Sequence, residues 1–370
     1  MGGDSGGWCV VTVARRDYGL LGADGRAAVD AGLVGASWYC PPISRKRVAE
    51  LMKRRDGPAI RDTLIWFSAL LLSGSAGIAM WGNWWAALPF AVYGVLYGSV
   101  GDSRWHECGH GTAFKTRWMN EAVHQLASFM MLREPTIWRY SHRRHHTDTI
   151  IVGRDPEIAS FRPPDLLAMA LNLFALKGGI VALMHVMRHS VGRMTPEEES
   201  FVPQSARSEV CRTARIWLSI FVAVFAACLL TRSVLPAMLV GLPTFYGGWL
   251  TPIFGWTQHA GLAEDALDHR LNSRTVYMNP LSRFLYWNMN YHLDHHMFPM
   301  VPYHALPQLH ELLRPYCPAP YPGLVAAYRE IIPTWLRQIR DPSYGVVRSL
   351  PSSPPLHSRL CTDGNAGVQE

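Results

Sequence analysis

The sequence predicts an all-α integral membrane protein, with about four transmembrane helices in two hairpins and a cytosolic helical cap carrying three histidine boxes. Three observations carry this expectation. The 370 residues are 49 % hydrophobic and only 17 % charged, a shift away from the charge-rich soluble profile. Four apolar runs lie in two pairs, each pair joined by a short turn. Eight of the sixteen histidines fall in three five-residue windows, all outside those runs.

Taken in order, residues 1–62 read as a polar, Gly-rich lead ending in a basic helix. No secretory signal is evident, since the apolar stretch 8–13 is short and lacks a basic lead-in. Ser44 is placed to cap a helix running to Arg55. Val48, Leu51 and Met52 share one side, and basic residues surround the other. That pattern suits an interfacial helix or an ordinary surface helix. Residues 63–81 and 84–100 are apolar, with Gly82-Asn83 between them. A bilayer core of about 30 Å takes about 20 helical residues, so the pair reads as a transmembrane hairpin. Seven basic residues lie between 45 and 61 and none in the turn, which puts both outer ends in the cytosol.

The first box, His106-Glu-Cys-Gly-His110, follows directly. Residues 122–132 are apolar but too short to cross, and are expected to pack beneath the site. The second box is His142-Arg-Arg-His145-His146. Residues 165–187 form an interfacial helix or a further crossing. Residues 216–230 and 234–256 make the second hairpin, turning at Arg232. Two crossings return the chain to the cytosol, so the third box, His292-Leu-Asp-His295-His296, faces the same compartment as the others. Residues 63–340 are thus expected to form one membrane domain. Residues 341–370, Ser- and Pro-containing, are expected to be a disordered tail.

The net charge of +7 suits an anionic membrane face or an acidic partner. No nucleic-acid motif is present. The seven cysteines are scattered and contain no CxxC, so neither a disulfide framework nor a zinc ribbon is expected.

The histidine spacing has a physical meaning. Residues i, i+3 and i+4 of a helix lie on neighbouring positions, so each box presents imidazoles in one direction. Imidazole suits iron, zinc, copper or nickel. Eight histidines exceed the needs of one ion and suggest two. His106-Glu107-Cys-Gly-His110 also matches HExxH, the zinc-protease pattern with Glu107 as general base, but that reading leaves two boxes unexplained. Glu107-x-x-His110 and Glu121-x-x-His124 match half of a ferritin-like di-iron set, without the further glutamates such a site needs. A metal-transport module would place its ionisable groups within the spans. His185 and His189 form one more i, i+4 pair, suited to a membrane interface. His304 and His310 follow the third box as supporting or surface residues.

These boxes resemble those of the membrane fatty acid desaturase superfamily, over about residues 26–330. Asn290-Tyr-His292-Leu-Asp-His295-His296-Met-Phe-Pro299 is similar to acyl desaturases. Carotenoid ketolases and hydroxylases share parts of the pattern. His106-Glu-Cys-Gly-His-Gly-Thr-Ala-Phe-Lys-Thr-Arg-Trp118, with Thr147–Glu157, is similar to a bacterial subgroup that includes the dihydrorhizobitoxine desaturase and a rhizopine-catabolism oxygenase. The resemblance implies two non-haem irons, dioxygen as co-substrate, and a desaturase or oxygenase reaction. It implies His106, His110, His142, His145, His146, His292, His295 and His296 as ligands. It adds His259, of a Gln258-His259 pair, as a ninth.

Glu107, Asp148, Asp155, Glu157 and Asp294 are candidates to hold the outer ring nitrogens of these histidines. The expected reaction removes two hydrogens from an unactivated C–C unit of a fatty-acyl or related alkyl-bearing substrate. The subgroup likeness adds a small amino-acid-like metabolite as substrate, in a bacterial inner membrane with the site facing the cytosol. Hydroxylation or ketolation by the same chemistry, and the zinc protease, remain the alternatives. No cytochrome b5, flavin, nicotinamide or iron–sulfur motif is present, so electrons must come from a separate ferredoxin-, Rieske- or cytochrome-type donor with its reductase. Arg133, Arg139, Arg143, Arg144 and Arg154 are candidates for a basic docking face, or for plain positive-inside topology. Membrane lipid is the other expected partner.

Overall fold

A computed structural model of the protein describes residues 16–351. Among them the regular structure is helical, with one isolated bridge between Val276 and Tyr321 and no named strand. Two short helices lead in, α1 (Ala23–Asp30) and α2 (Arg45–Leu51). Ser44 sits at the N-cap of α2 but makes no capping bond, and the helix stops at Leu51 rather than Arg55.

Helix α3 (Asp56–Ala79) has 24 residues, a length of about 36 Å. It ends in a turn bearing Trp81, Trp84 and Trp85, all exposed. Such rings favour the boundary between lipid tails and water. The Trp81 indole N–H donates to Ser233 Oγ at 3.1 Å, so the turns of the two expected hairpins meet at one end. The return arm of the first is shorter than expected: α4 (Ala87–Gly98) has 12 residues.

The second hairpin begins with α11 (Arg207–Thr231), which is continuous over 25 residues. Its return arm is broken into α12 (Leu235–Leu239), α13 (Leu242–Gly247) and α14 (Leu250–His259). The break before α13 falls at Gly241, whose φ is +95°. Among the described residues two helices are by themselves long and apolar enough to cross a membrane. The broken arm has a packing reason. A Cβ on Gly247 would lie 1.9 Å from the Gly94 backbone, so α4 and α13 touch backbone to backbone, as small residues allow inside membranes.

The span 165–187 is neither a straight crossing nor one interfacial helix. It forms α8 (Leu166–Asn172) and α9 (Leu176–Ser190), bent by 72° at their junction. Between the hairpins lie α5 (Gly101–Gly109), α6 (Arg117–Met131), α7 (Pro135–Thr147) and the single turn α10 (Pro196–Glu199). Helix α6 buries Val123, Ala127 and Met130 against Trp105, Cys108 and Trp138, beneath the histidines as expected for 122–132. After α14 come α15 (His269–Asn272), α16 (Pro280–Leu285), α17 (His292–Met297), α18 (Leu306–Leu313) and α19 (Leu324–Arg340).

Arg104 anchors the first box. Its guanidinium is buried, donates to the carbonyls of Leu285 and Phe284 at 2.6 and 3.0 Å, and lies against the rings of Trp66, Phe284 and Trp287. Residues 341–351, the start of the expected tail, lie against the body: Val346 N–H donates to Gly261 O at 2.9 Å and Arg348 to Ser273 O at 3.1 Å. The remainder of that tail, and the apolar stretch 8–13, lie outside the described residues. Cys108, Cys211, Cys228 and Cys317 are free.

Candidate metal centre

Nine histidines from four helices converge in two groups. His106, His110, His142, His146 and His295 form one, and His145, His259, His292 and His296 the other; within each, the ligand atoms lie within 4.8 Å of one another. The groups do not follow the boxes. Each draws on both the second and the third box. Helical geometry explains the division: i and i+4 differ by about 40° around the axis, whereas i+3 lies about 60° to the other side. His142 and His146 therefore enter the five-membered group and His145 the other. In α17 His292 and His296 pair, and His295 crosses over.

The facing atoms are Nε2. His106 lies 3.1 Å from both His110 and His295, and His142 lies 3.0 Å from His110 and from His146. His292 lies 2.8 Å from His259 and 2.9 Å from His296. Adjacent ligands on an ion at about 2.1 Å stand about 3.0 Å apart in a square arrangement.

The outer nitrogens fix the tautomers. His142 Nδ1 is 2.8 Å from Glu157 Oε2, and His145 Nδ1 is 2.8 Å from Asp155 Oδ2. His259 Nδ1 is 2.7 Å from the Asn272 carbonyl, which can only accept. Their Nε2 lone pairs thus point into the groups. Lone pairs facing one another at 3 Å repel unless a cation lies between them. This donor set suits transition-metal ions, and each group could hold one.

Burial, and after it the neighbouring imidazoles, hold His142, His146, His292, His295 and His296 well below the ordinary value of 6.5. Neutral imidazole is the form that binds metal. At His145 burial also pulls down, but the Asp155 carboxylate outweighs it and raises the group.

The acidic candidates separate. Asp155 also accepts the backbone N–H groups of Ile150 and Glu157 at 2.8 Å, and Glu157 also accepts Ser141 Oγ at 2.7 Å. Glu107 accepts Thr112 Oγ1 and Tyr303 N, each at 3.1 Å, and its Oε1 lies 3.9 Å from His295 Nδ1. Complete burial pushes Glu107 up to about 8. Asp148 and Asp294 touch none of the nine histidines. Asp148 pairs with Arg154 at 3.1 Å, and Asp294 receives His310 Nδ1 at 3.1 Å and Thr275 Oγ1 at 2.8 Å.

Several residues at the site carry no motif. Thr149 Oγ1 lies 3.3 Å from His296 Nδ1, Met289 Sδ lies 3.4 Å from His292 Nδ1, and Asn272 acts through its backbone. Such contacts depend on tertiary approach and leave no spacing signal. Gly109, inside the first box, has a steric reason: a Cβ there would lie 1.9 Å from the Trp138 ring, which stacks on His142 at 4.4 Å.

The alternative motifs are otherwise engaged. Glu121 pairs with Arg139 at 2.6 Å, and His124 bonds the Trp105 carbonyl at 3.0 Å. His185 and His189 share the carboxylate of Glu198 at 3.2 and 3.1 Å. A cavity of about 670 Å³ touches His106, His142, His145, His259 and His292, and reaches His185, His189 and Glu198. Its wall also carries Arg133, Glu134, Ser141 and Glu157.

Helices long and apolar enough to cross a membrane, with two histidine clusters that could hold metal, define a class of membrane-associated helical proteins with a candidate metal site. The family model for fatty acid desaturases matches residues 82–328, and the chain belongs to that family of oxidoreductases. Its relatives include the chloroplastic sn-2 acyl-lipid omega-3 desaturase (ferredoxin) of Helianthus annuus, 24 % identical over 273 residues, covering 67 % of this chain and 60 % of the relative. A chloroplastic omega-3 fatty acid desaturase of Glycine max is 25 % identical, covering 69 % and 59 %. The acyl-lipid (9+3)-(E)-desaturase of Dimorphotheca sinuata is 24 % identical, covering 66 % and 73 %. The match to the first two thus spans about three fifths of their length.

Proposed function

We propose that this chain is an O2-dependent membrane di-iron desaturase that removes two hydrogens from adjacent carbons of an alkyl-bearing substrate. The observation that carries the reading is the division of nine histidines, six of them buried and three partly so, into two groups with Nε2 atoms about 3 Å apart, ligands from both groups lining one cavity. Unactivated C–H bonds resist acid–base chemistry, so the oxidant must be a redox metal. Two iron ions, with dioxygen, supply it when bound.

The chain's own residues do the rest. All nine histidines, His106, His110, His142, His145, His146, His259, His292, His295 and His296, hold the ions. Asp155, Glu157 and the Asn272 carbonyl fix three tautomers. Glu107 lies beside His295. Over one cycle the substrate gives up two hydrogens. Dioxygen takes these with two protons and two electrons and leaves as two waters.

The electrons come from a separate iron–sulfur or cytochrome donor, in line with the ferredoxin in the name of one relative. Residues 63–340 act as one membrane domain of up to four crossings, the broken arms included. The site faces the cytosol of a bacterial inner membrane, as the basic residues at 45–61 favour. The substrate is a fatty-acyl or related alkyl-bearing compound, with a small amino-acid-like metabolite of the kind the rhizobitoxine and rhizopine subgroup handles as the alternative. Arg133, Glu134 and Glu157 in the cavity wall would give such a metabolite polar partners.

Iron-loaded chain, given dioxygen and a chemical reductant, should desaturate an acyl lipid or a short alkyl amino acid, read as loss of two hydrogens by mass spectrometry. Turnover of neither would contradict the desaturase reading. Gain of one oxygen would make the enzyme a hydroxylase.

A further inference from the structure

We propose that electrons enter through a basic face at the head of α3, where a small acidic one-electron carrier protein docks. The inference rests on the proposed need for a separate donor, and it moves the docking face from where the sequence suggested it. Of those five arginines, four stand within ion-pair range of acids of the same chain. Arg139 faces Glu121 at 2.6 Å, Arg154 and Arg144 face Asp148 at 3.1 and 3.9 Å, and Arg133 faces Asp102 at 3.8 Å. Positive charge already facing a local carboxylate attracts a partner weakly.

Elsewhere the charge is unspent. Lys53, Arg54 and Arg55 close the link into α3, and Lys115 and Arg117 flank the start of α6; all five are exposed. Among the described residues none of them stands within ion-pair distance of an acid. The two segments are bound together, because Asp56 accepts the backbone N–H and hydroxyl of Thr116 at 2.9 and 2.8 Å. Both carboxylate oxygens of Asp56 are thereby used. Arg61, exposed and one turn further along α3, is paired with Asp62 and marks the inner edge of the face.

From this face a line of hydrogen bonds runs inward as far as Glu107. Arg61 Nε donates to Asp62 Oδ1 at 2.7 Å, and Tyr303 Oη donates to Asp62 Oδ2 at 2.8 Å. The Tyr303 backbone N–H donates to Glu107 Oε2 at 3.1 Å. Glu107 Oε1 faces His295 Nδ1 at 3.9 Å, and His295 belongs to the five-histidine group. The Tyr303 ring stacks flat on buried Trp287 at 4.2 Å. A carrier on this face thus stands at the outer end of a short, well-packed path to the metal centre. The required pair of electrons arrives as two successive one-electron transfers, each oxidising one carrier. Complementary charge speeds such encounters and makes them salt-dependent.

The test uses the full chain in nanodiscs of phosphatidylcholine, with oxidised plant-type [2Fe–2S] ferredoxin as the acidic probe and the dissociation constant measured against salt. Arg54→Glu/Arg55→Glu and Lys115→Glu/Arg117→Glu should each weaken binding at least tenfold at low salt and flatten the salt dependence. The matching glutamine pairs should fall between these and the parent. Arg143→Glu should leave binding unchanged. Unchanged affinity in both reversals would overturn the proposal. So would reversals that reduce only the chain's retention on phosphatidylglycerol, which would make the face a lipid contact. Iron content of the same samples reports on the di-iron reading separately: iron-free chain that still binds ferredoxin in this pattern would sink that reading and keep the face.

Discussion

His145 is the residue at which the two metal groups are told apart. It lies between His142 and His146 in sequence but faces the other group, and Asp155 fixes its tautomer at 2.8 Å. Removing a carboxylate behind a ligating histidine costs about 10–100-fold in metal affinity. Asp155→Ala should therefore release iron that much more readily, measured by competition with a chelator. Asp148→Ala should not, because Asp148 touches Arg154 and Arg144 instead. Equal losses in both would remove the specific role of Asp155.

The same imidazoles predict how the metal-free chain responds to acid. Eight of the nine are held below 6.5, by burial first. The unfolded chain then binds protons that the folded chain refuses, so stability present above about 6.5 is lost as the pH falls below it. His145, Glu107 and Glu157 run the other way and are outnumbered. The thermal midpoint of metal-free chain in detergent should fall steadily from pH 7 toward pH 5. A midpoint that rises on acidification would contradict the neutral cluster.

At this scale much was legible from spacing. The three boxes give eight of the nine grouped histidines, and the family likeness supplies His259. The split within each box follows from the i, i+3, i+4 spacing, but which histidines of α7 join which of α17 was not legible, because it depends on how the two helices are rotated toward each other.

At the scale of elements, the close approach of α4 and α13 holds the broken arm against the continuous one. Gly247→Ala would put a Cβ 1.9 Å from the Gly94 backbone. Overpacking of this kind costs about 1–3 kcal/mol, and the thermal midpoint should drop accordingly. Gly57→Ala is the control, since nothing lies within 4 Å of its added Cβ. A Gly247→Ala chain as stable as its parent would mean that the arms separate freely.

The apolar runs were legible as lengths but not as continuous helices. Hydropathy does not reveal that a run such as 234–256 breaks into three short helices at Gly241 and Gly248. The 72° bend between α8 and α9 was equally hidden, because it lies at Ala175 in a left-handed conformation, where no Gly or Pro marks a break.

At the scale of the whole molecule, two histidine groups that could each hold a metal ion lie beside one cavity, and everything proposed about the chemistry depends on what they hold. The most direct measurement is metal content per polypeptide, on chain purified anaerobically in detergent from iron-replete cells. The account predicts close to two irons, falling sharply in His145→Ala and in His295→Ala, which remove one ligand from each group. About one zinc per chain, lost with His106→Ala and indifferent to His295→Ala, would contradict it.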